Sequence, residues 1–592
     1  MKTIGKVQGI ISNLLMVNVE DPVAQNEICY VTLGDTNLMG EVIKINGKTA
    51  FVQVFDSTRG LKVGAKVEFS GSLLEVELGP GILSKNYDGL QNDLDSLEGI
   101  FLERGAKSAP INIEAKWEFT PLANVGDEVT AGSWLGEVPE NNIHHKIMVP
   151  FNIEGAFTLS WIAEKGTYKV KDTIAKIKPE KGDEIAISMS QKWSVKVPLK
   201  RYKNKPRPFK LLETGVRTID SLHPILEGGV GFIPGPFGCG KTVLQHAISK
   251  QASADVVIVA ACGERANEVV EIFTEFPELE DPRTGQKLME RTIIIANTSN
   301  MPVAAREASV YTAMTLGEYY RQMGLKVLLL ADSTSRWAQA LREMSNRLED
   351  LPGPDAFPMD LSAIISNFYA RAGTVELNNN HTGSITFIGT VSPAGGNLKE
   401  PVTESTKKAT RCFYALAQKR ADSKRYPAID PIMSYSKYLE YPEFQKYALE
   451  KVSKRYSEYV DIMKNLLLRG SEASDQINIL GDDGVPLAYH VNFWRAELID
   501  FVILQQDAFD KVDQMTPMAR QMEMVELILD ICQREFDFQG FEDVSSFFKK
   551  LINEFKQLNY TAYNTTEYAD KKAAIEMEIK QSLEKETAKL WS

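Results

Sequence analysis

The run Gly235, Pro236, Phe237, Gly238, Cys239, Gly240, Lys241, Thr242 places glycine, lysine and a hydroxyl at the spacing G-x-x-x-x-G-K-[ST]. Glycine lets the main chain approach a phosphate chain, so amides at a helix start can cradle its oxygens while Lys241 reaches the β and γ phosphates. Thr242 is placed to hold Mg2+, and Val243 carries the cradle into the helix. The ligand this chemistry fits is ATP or ADP with magnesium. The apolar GVGFI before the loop and TVLQHAISKQ after it supply the strand and helix that the motif requires.

Two acids extend the constellation. Asp332 closes the apolar run LKVLLLAD, and an acid at the carboxyl end of a buried strand is placed to support the metal. Glu264 closes VVIVAACGE, where a carboxylate can polarise the water that attacks the γ phosphate. Cys239 lies inside the loop and reads as a small residue filling the turn rather than as a reactive thiol.

Strands must position these groups. The segments ADVVIVAAC, RTIIIAN, LKVLLLADS and GSITFIGTV alternate with the helical ANEVVEIFTEF and AAREASVYTAMTLGEYYRQM, which predicts a parallel sheet covered by helices. Around this P-loop domain, taken as 186–435, stand further units. Short β-branched segments with glycine turns predict a β-barrel over 1–75, followed by a connecting segment over 76–109. A second β-rich stretch over 110–185 reads as an inserted module, and helical periodicity with paired charges predicts a helical domain over 436–592. The basic KVPLKRYKNKPRPFK reads as a surface linker. The fold class is multidomain α/β.

Composition narrows the classes. At 592 residues the chain is too long for a single core, and 43% hydrophobic with 25% charged residues is an ordinary globular balance. A net charge of -12 disfavours a phosphate backbone as partner, so no nucleic acid is expected. No apolar run approaches a membrane span, and the expected setting is cytoplasmic. The five cysteines lack metal or disulfide spacing. His144 and His145 would face opposite sides of a strand, which argues against a metal cage there.

Read together, the loop, the tripeptide Gly263-Glu264-Arg265 and LLLADSTSRWAQALREMS resemble the catalytic A subunit of the V-type and archaeal A-type rotary ATPases. The match continues through ANTSNMPVAAREASVYTAMTLGEYYRQMGLKV, FYARAG, EPVTEST and RYPAIDPIMSYSKY, and GDEVTAGSWLGEVPENNIHHKIMVP resembles the insertion that sets these subunits apart from F-type catalytic chains. The resemblance implies a RecA-like ATPase domain, Glu264 as catalytic carboxylate, and Lys241, Thr242 and Asp332 on phosphates and metal. It further implies that Arg265 orients the γ phosphate and that Tyr426 and Phe509 wall the adenine pocket. As partners it implies a ring of three such chains alternating with three B subunits, which supply an arginine to the site. Central-stalk and peripheral-stalk subunits would link the ring to a membrane sector moving H+ or Na+, so membrane contact is indirect and peripheral. The chain departs from the family pattern at Ile364, where relatives carry arginine, and at Asn397, where they carry an acid. A non-catalytic ring scaffold and a nucleic-acid translocase on the same core are the competing readings; Lys241 with Glu264 argues against the first, the net charge and the 110–185 insertion against the second.

Overall fold

The computed structural model describes residues 3–96, 105, 107–299 and 301–590. Part of the connecting segment expected over 76–109 lies outside them.

Six strands, Ile4–Ile11, Leu14–Val19, Glu27–Leu33, Thr36–Asn46, Thr49–Val54 and Lys66–Leu73, close into an antiparallel barrel when the first pairs with the last. Alternation along them sends Val7, Val17, Val31, Val42, Val52 and Phe69 into a core of their own. The inserted module consists of two four-stranded antiparallel sheets between Lys116 and Ile187, packed over Phe119, Leu135, Val138, Leu159 and Ile177.

The nucleotide-sized chemistry sits on a nine-stranded sheet. Its central strands run Val230–Pro234, Thr382–Val391, Lys326–Asp332, Val256–Glu264 and Thr292–Thr298, all parallel and buried on both faces, as an uninterrupted apolar composition requires. Gly373–Glu376 and Tyr435–Ser436 add antiparallel pairs that the βαβ pattern did not predict. A short parallel strand, Asn86–Tyr87, which comes from the connecting segment and docks beside Thr292–Thr298, was likewise not predicted. The helix Val303–Arg321 lies almost wholly buried against the sheet.

Three contacts lock the units together. His145 is buried, with Nδ1 2.5 Å from Glu140 Oε2 and Nε2 2.7 Å from the Tyr319 hydroxyl, while the adjacent His144 faces solvent. Lys196 bridges Glu41 of the barrel and Glu307 of the central helix at 2.8 and 3.3 Å. Arg217, buried in the helix Arg217–Leu222, donates to the Ile503 carbonyl and the Thr516 hydroxyl, both at 3.0 Å, and pairs with Asp513 of the C-terminal domain. That domain is built from the helices Pro442–Lys451, Tyr456–Leu480, Leu487–Ile499, Met518–Gln533, Phe541–Asn559 and Thr566–Leu590. Among the described residues no helix is long and apolar enough to cross a membrane.

Candidate active site

Parallel register brings the chemistry to one edge. Pro234 stands level with Val391 and Ala261 with Asp332, so the carboxyl ends of four neighbouring strands open on the same side. The chain leaves Val230–Pro234 through the loop Gly235–Gly240 and enters the helix Lys241–Gln251. Gly238 and Gly240 hold φ of +84° and +82°, the left-handed region where a side chain is strained, and Gly240 caps the helix there. The turn therefore needs glycine at both places. Gln245, one turn into the helix, donates to the Ala331 and Ile388 carbonyls at 3.3 and 3.4 Å, which fixes the helix start against the strand ends.

Lys241 is buried, and its ammonium donates to the carbonyls of Gly235 and Pro236, both at 2.9 Å. Burial lowers its pKa, opposed by the negative charges of Asp332, Glu264 and Glu268. Thr242 Oγ1 donates to Asp332 Oδ2 at 3.0 Å, and Thr390 Oγ1 donates to Asp332 Oδ1 at 2.6 Å. Thr242 and Asp332 thus present hard oxygen donors side by side, a set suited to magnesium. Glu264 is half-buried at the next strand end. Burial, a hydrogen bond that the protonated Glu264 carboxyl donates to Glu268, and the charge of Asp332 push it up to about 8, against the opposing pull of Arg336. Arg265 is exposed, with its guanidinium 4.9 Å from the centre of the Phe237 ring, itself 72% exposed at the tip of the loop.

A cavity of about 510 Å³ opens beside the loop, bounded by Gly238, Gly240 and Val243 on one side and by the C-terminal domain on the other. Tyr426 and Phe509 both line it, with exposures of 45% and 85%. Tyr426 lies against Gly240, and its carbonyl accepts from the Gln506 amide at 2.9 Å, which ties the two walls together. Cys239 is buried with its thiol donating to Gln418 Oε1 at 3.2 Å, and burial raises its pKa.

The residues read from the sequence as phosphate-, metal- and base-contacting therefore gather at one edge of the sheet and its adjoining cavity. Sequence reasoning missed Thr390, Glu268, Arg336 and the cavity wall around Gln505. Glu268 lies in the first turn of the helix Ala266–Glu275, just after the strand that Glu264 ends, and was legible from that proximity; Thr390, on a strand 58 residues beyond Asp332, carried no local signal. At the two departures, Ile364 lines a separate cavity of about 460 Å³ with Leu341, Met344 and Met359, and Asn397 Oδ1 accepts from the Lys399 amide at 3.0 Å.

Four family models match consecutive parts of the chain. The ATP synthase alpha/beta family β-barrel domain matches 7–71, the alpha/beta subunit barrel-sandwich domain 108–196, the alpha/beta nucleotide-binding domain 215–436, and the C-terminal domain of V and A type ATP synthase 445–537. The chain is 48% identical to the V-type ATP synthase alpha chain of Treponema denticola over all of this chain and 99% of that one. It is 45% identical to V-type ATP synthase alpha chain 1 of Treponema pallidum, over 100% and 98% of the two chains. Against the V-type ATP synthase alpha chain of Protochlamydia amoebophila it is 45% identical, over 99% and 98%.

Proposed function

The chain belongs to the V-type ATP synthase alpha chains, and from that premise we propose which of its residues carry ATP hydrolysis and synthesis and what it assembles with. Members of this family are ATP hydrolases or synthases coupled to ion transport. The observation that carries the residue assignment is the Thr242–Asp332 hydrogen bond beside the buried Lys241, with Glu264 at the adjoining strand end.

Lys241 leaves its loop carbonyls to hold the β and γ phosphates, and the loop amides take the remaining oxygens. Thr242 and Asp332 hold Mg2+, which when bound neutralises charge that develops on the phosphates. Glu264, in its ionised form, orients water in line with the γ phosphorus and accepts its proton. Arg265 swings from the Phe237 ring to orient the γ phosphate. Tyr426 and Phe509 clasp the adenine between their rings.

Phosphoryl transfer needs further positive charge at the γ phosphate. In our reading an arginine of a neighbouring B subunit supplies it, within a ring of three such chains alternating with three B subunits. Closing of the helical C-terminal domains turns a central stalk, peripheral stalks hold the ring, and a separate sector moves H+ or Na+. The chain then works at the cytoplasmic side of a membrane without entering it.

The test is magnesium-dependent ATPase activity of this chain mixed with its cognate B subunit, for wild type, Glu264→Gln and Lys241→Ala. Activity that needs the mixture and vanishes in both variants supports the reading. Undiminished hydrolysis by Glu264→Gln would overturn the catalytic assignment and favour a nucleotide-binding scaffold.

A further inference from the structure

Alternation along a strand dictates which face each side chain takes, and Glu264 departs from it. On Val256–Glu264, Ile258, Ala260 and Cys262 enter the core shared with Ala304 and Ala308 of the helix Val303–Arg321. Val257, Val259 and Ala261 enter the opposite core, shared with Leu244 and Ile248 of the helix that follows the phosphate loop. A period of two would put Glu264 on the side of Cys262, away from that helix.

One extra residue reverses the alternation. Cys262 pairs with Asn297 and Glu264 with Thr298, the next residue of the neighbouring strand, so Gly263 is left over as a β-bulge. Its φ of +72° is open to glycine and strained for any other residue. Bulges beside active sites re-aim a side chain. Past this one, Glu264 lies near enough to Asp332, Glu268 and Lys241 for charge to be felt between them.

A second side chain closes over the bulge. A Cβ at position 263 would lie 2.7 Å from Arg306 Cδ, 3.2 Å from Arg306 Cγ and 3.0 Å from Arg336 Cβ, so the aliphatic stem of Arg306 lies directly on the glycine. The Arg306 main chain is held in the first turn of Val303–Arg321, its amide donating to the Pro302 carbonyl at 3.2 Å. Its guanidinium reaches Glu343, on the helix Thr334–Arg347, at 3.5 Å, and the side chain is only 12% exposed. The stem therefore runs from one covering helix to the other across Gly263.

We propose that Arg306 is a positioning residue for Glu264, its stem clamping the Gly263 bulge that turns the carboxylate to the phosphate side of the sheet. This rests on the reading of Glu264 as the base and extends it to what aims that base. Arg306 acts through packing on the bulge, and Glu343 tethers its far end. A misplacement of about 1 Å can cost about 100-fold in rate, so a loosened bulge is felt in turnover rather than in nucleotide binding.

The experiment measures kcat and KM for MgATP across pH, per assembled ring with the cognate B subunit, for wild type, Arg306→Ala and Arg306→Met. Arg306→Ala is expected to lower kcat about 10–100-fold and to leave KM within about 3-fold. The midpoint of its kcat/KM profile should fall from near about 8 toward the ordinary carboxylate range, because a Glu264 released from its place is less buried. Arg306→Met keeps an unbranched stem without the charge and should hold kcat within about 3-fold of wild type. An equal loss in both variants would show that the guanidinium matters rather than the stem, and would overturn the proposal. So would an Arg306→Ala ring with wild-type kcat, a loss with an unmoved midpoint, or an Arg306→Ala chain that no longer forms the ring, each marking a role other than aiming Glu264. A wild-type ring whose activity survives Glu264→Gln would instead overturn the underlying reading of the base, and is told apart by that.

Discussion

Thr242 and Asp332, 90 residues apart in the chain, are joined by a 3.0 Å hydrogen bond across the gap between the helix after the phosphate loop and the end of a neighbouring strand. Each oxygen of the aspartate accepts one hydrogen bond, since Thr390 donates to the other at 2.6 Å. On the reading that Asp332 supports magnesium, Thr390 is placed to fix that carboxylate through its other oxygen. Removing such an outer partner typically weakens metal binding or activity about 10–100-fold. Thr390→Val should raise the magnesium concentration needed for half-maximal ATPase activity by about that factor while leaving nucleotide binding in the absence of magnesium near wild type. An unchanged magnesium requirement would show that Asp332 holds its orientation without Thr390.

A second prediction concerns pH. Glu264 holds its proton up to about pH 8 because burial, Glu268 and Asp332 all disfavour its charge. A general base works only when ionised, and kcat/KM reports the free enzyme, so kcat/KM should climb with pH to a midpoint near about 8. Arg336 favours the ionised form, so Arg336→Ala should move the midpoint upward. The check is the pH profile of both proteins; a midpoint that moves downward, or that does not exist between pH 6 and 9, contradicts the assignment of Glu264 as the base.

Why was so much of this site legible before the fold? The loop, the helix after it and the strands ending in Glu264 and Asp332 are each specified by residues adjacent in sequence: glycines for the turn, apolar runs for the strands, an acid at the exit. Local chemistry there coincides with tertiary position. The inserted sheets and the barrel were legible for the same reason, through alternation and glycine turns. What escaped depends on contacts between distant segments. Asn86–Tyr87 is too short to show periodicity and joins the sheet only because its partner Thr292–Thr298 has a free edge. Thr390 is a polar residue whose neighbours in sequence say nothing of Asp332. The buried His145, hydrogen-bonded at both ring nitrogens, looked in sequence like any strand histidine.

The thiol in the phosphate loop bears on a third prediction. Cys239 is buried, donates to Gln418 and has a raised pKa, because burial outweighs the favourable charge of Lys241. Little thiolate is then present near neutral pH, and the thiolate is the reactive form. Alkylation of Cys239 by iodoacetamide at pH 7.5 should run at least about 10-fold slower than that of a solvent-exposed thiol. Cys239→Ala should keep ATPase activity within a few-fold of wild type. Fast alkylation accompanied by loss of activity would make the thiol an accessible control point instead.

The last prediction tests the joint between the nucleotide-binding and C-terminal domains. Asp220 is fully buried, with Oδ1 accepting from the Thr214 amide and hydroxyl at 2.9 and 2.6 Å and Oδ2 from the Gly215 amide and Gln521 Nε2 at 2.9 and 3.0 Å. Four donors converge on it, yet burial outweighs them and pushes its carboxyl from the ordinary 3.8 up to about 6. A folded-state pKa above the unfolded one means that folding takes up a proton in between. The resulting stabilisation is complete below about pH 4 and is lost as pH rises through about 6. Asp220→Asn has no titrating group there and leaves at least one of the four donors facing an NH2, which should cost about 1–3 kcal/mol. In urea unfolding at pH 5 and pH 7.5, the stability difference between wild type and Asp220→Asn should therefore shrink at the higher pH. A difference that is flat or grows with pH would mean that Asp220 is ionised throughout, its charge carried by the four donors and the Thr214 turn rather than neutralised by a proton.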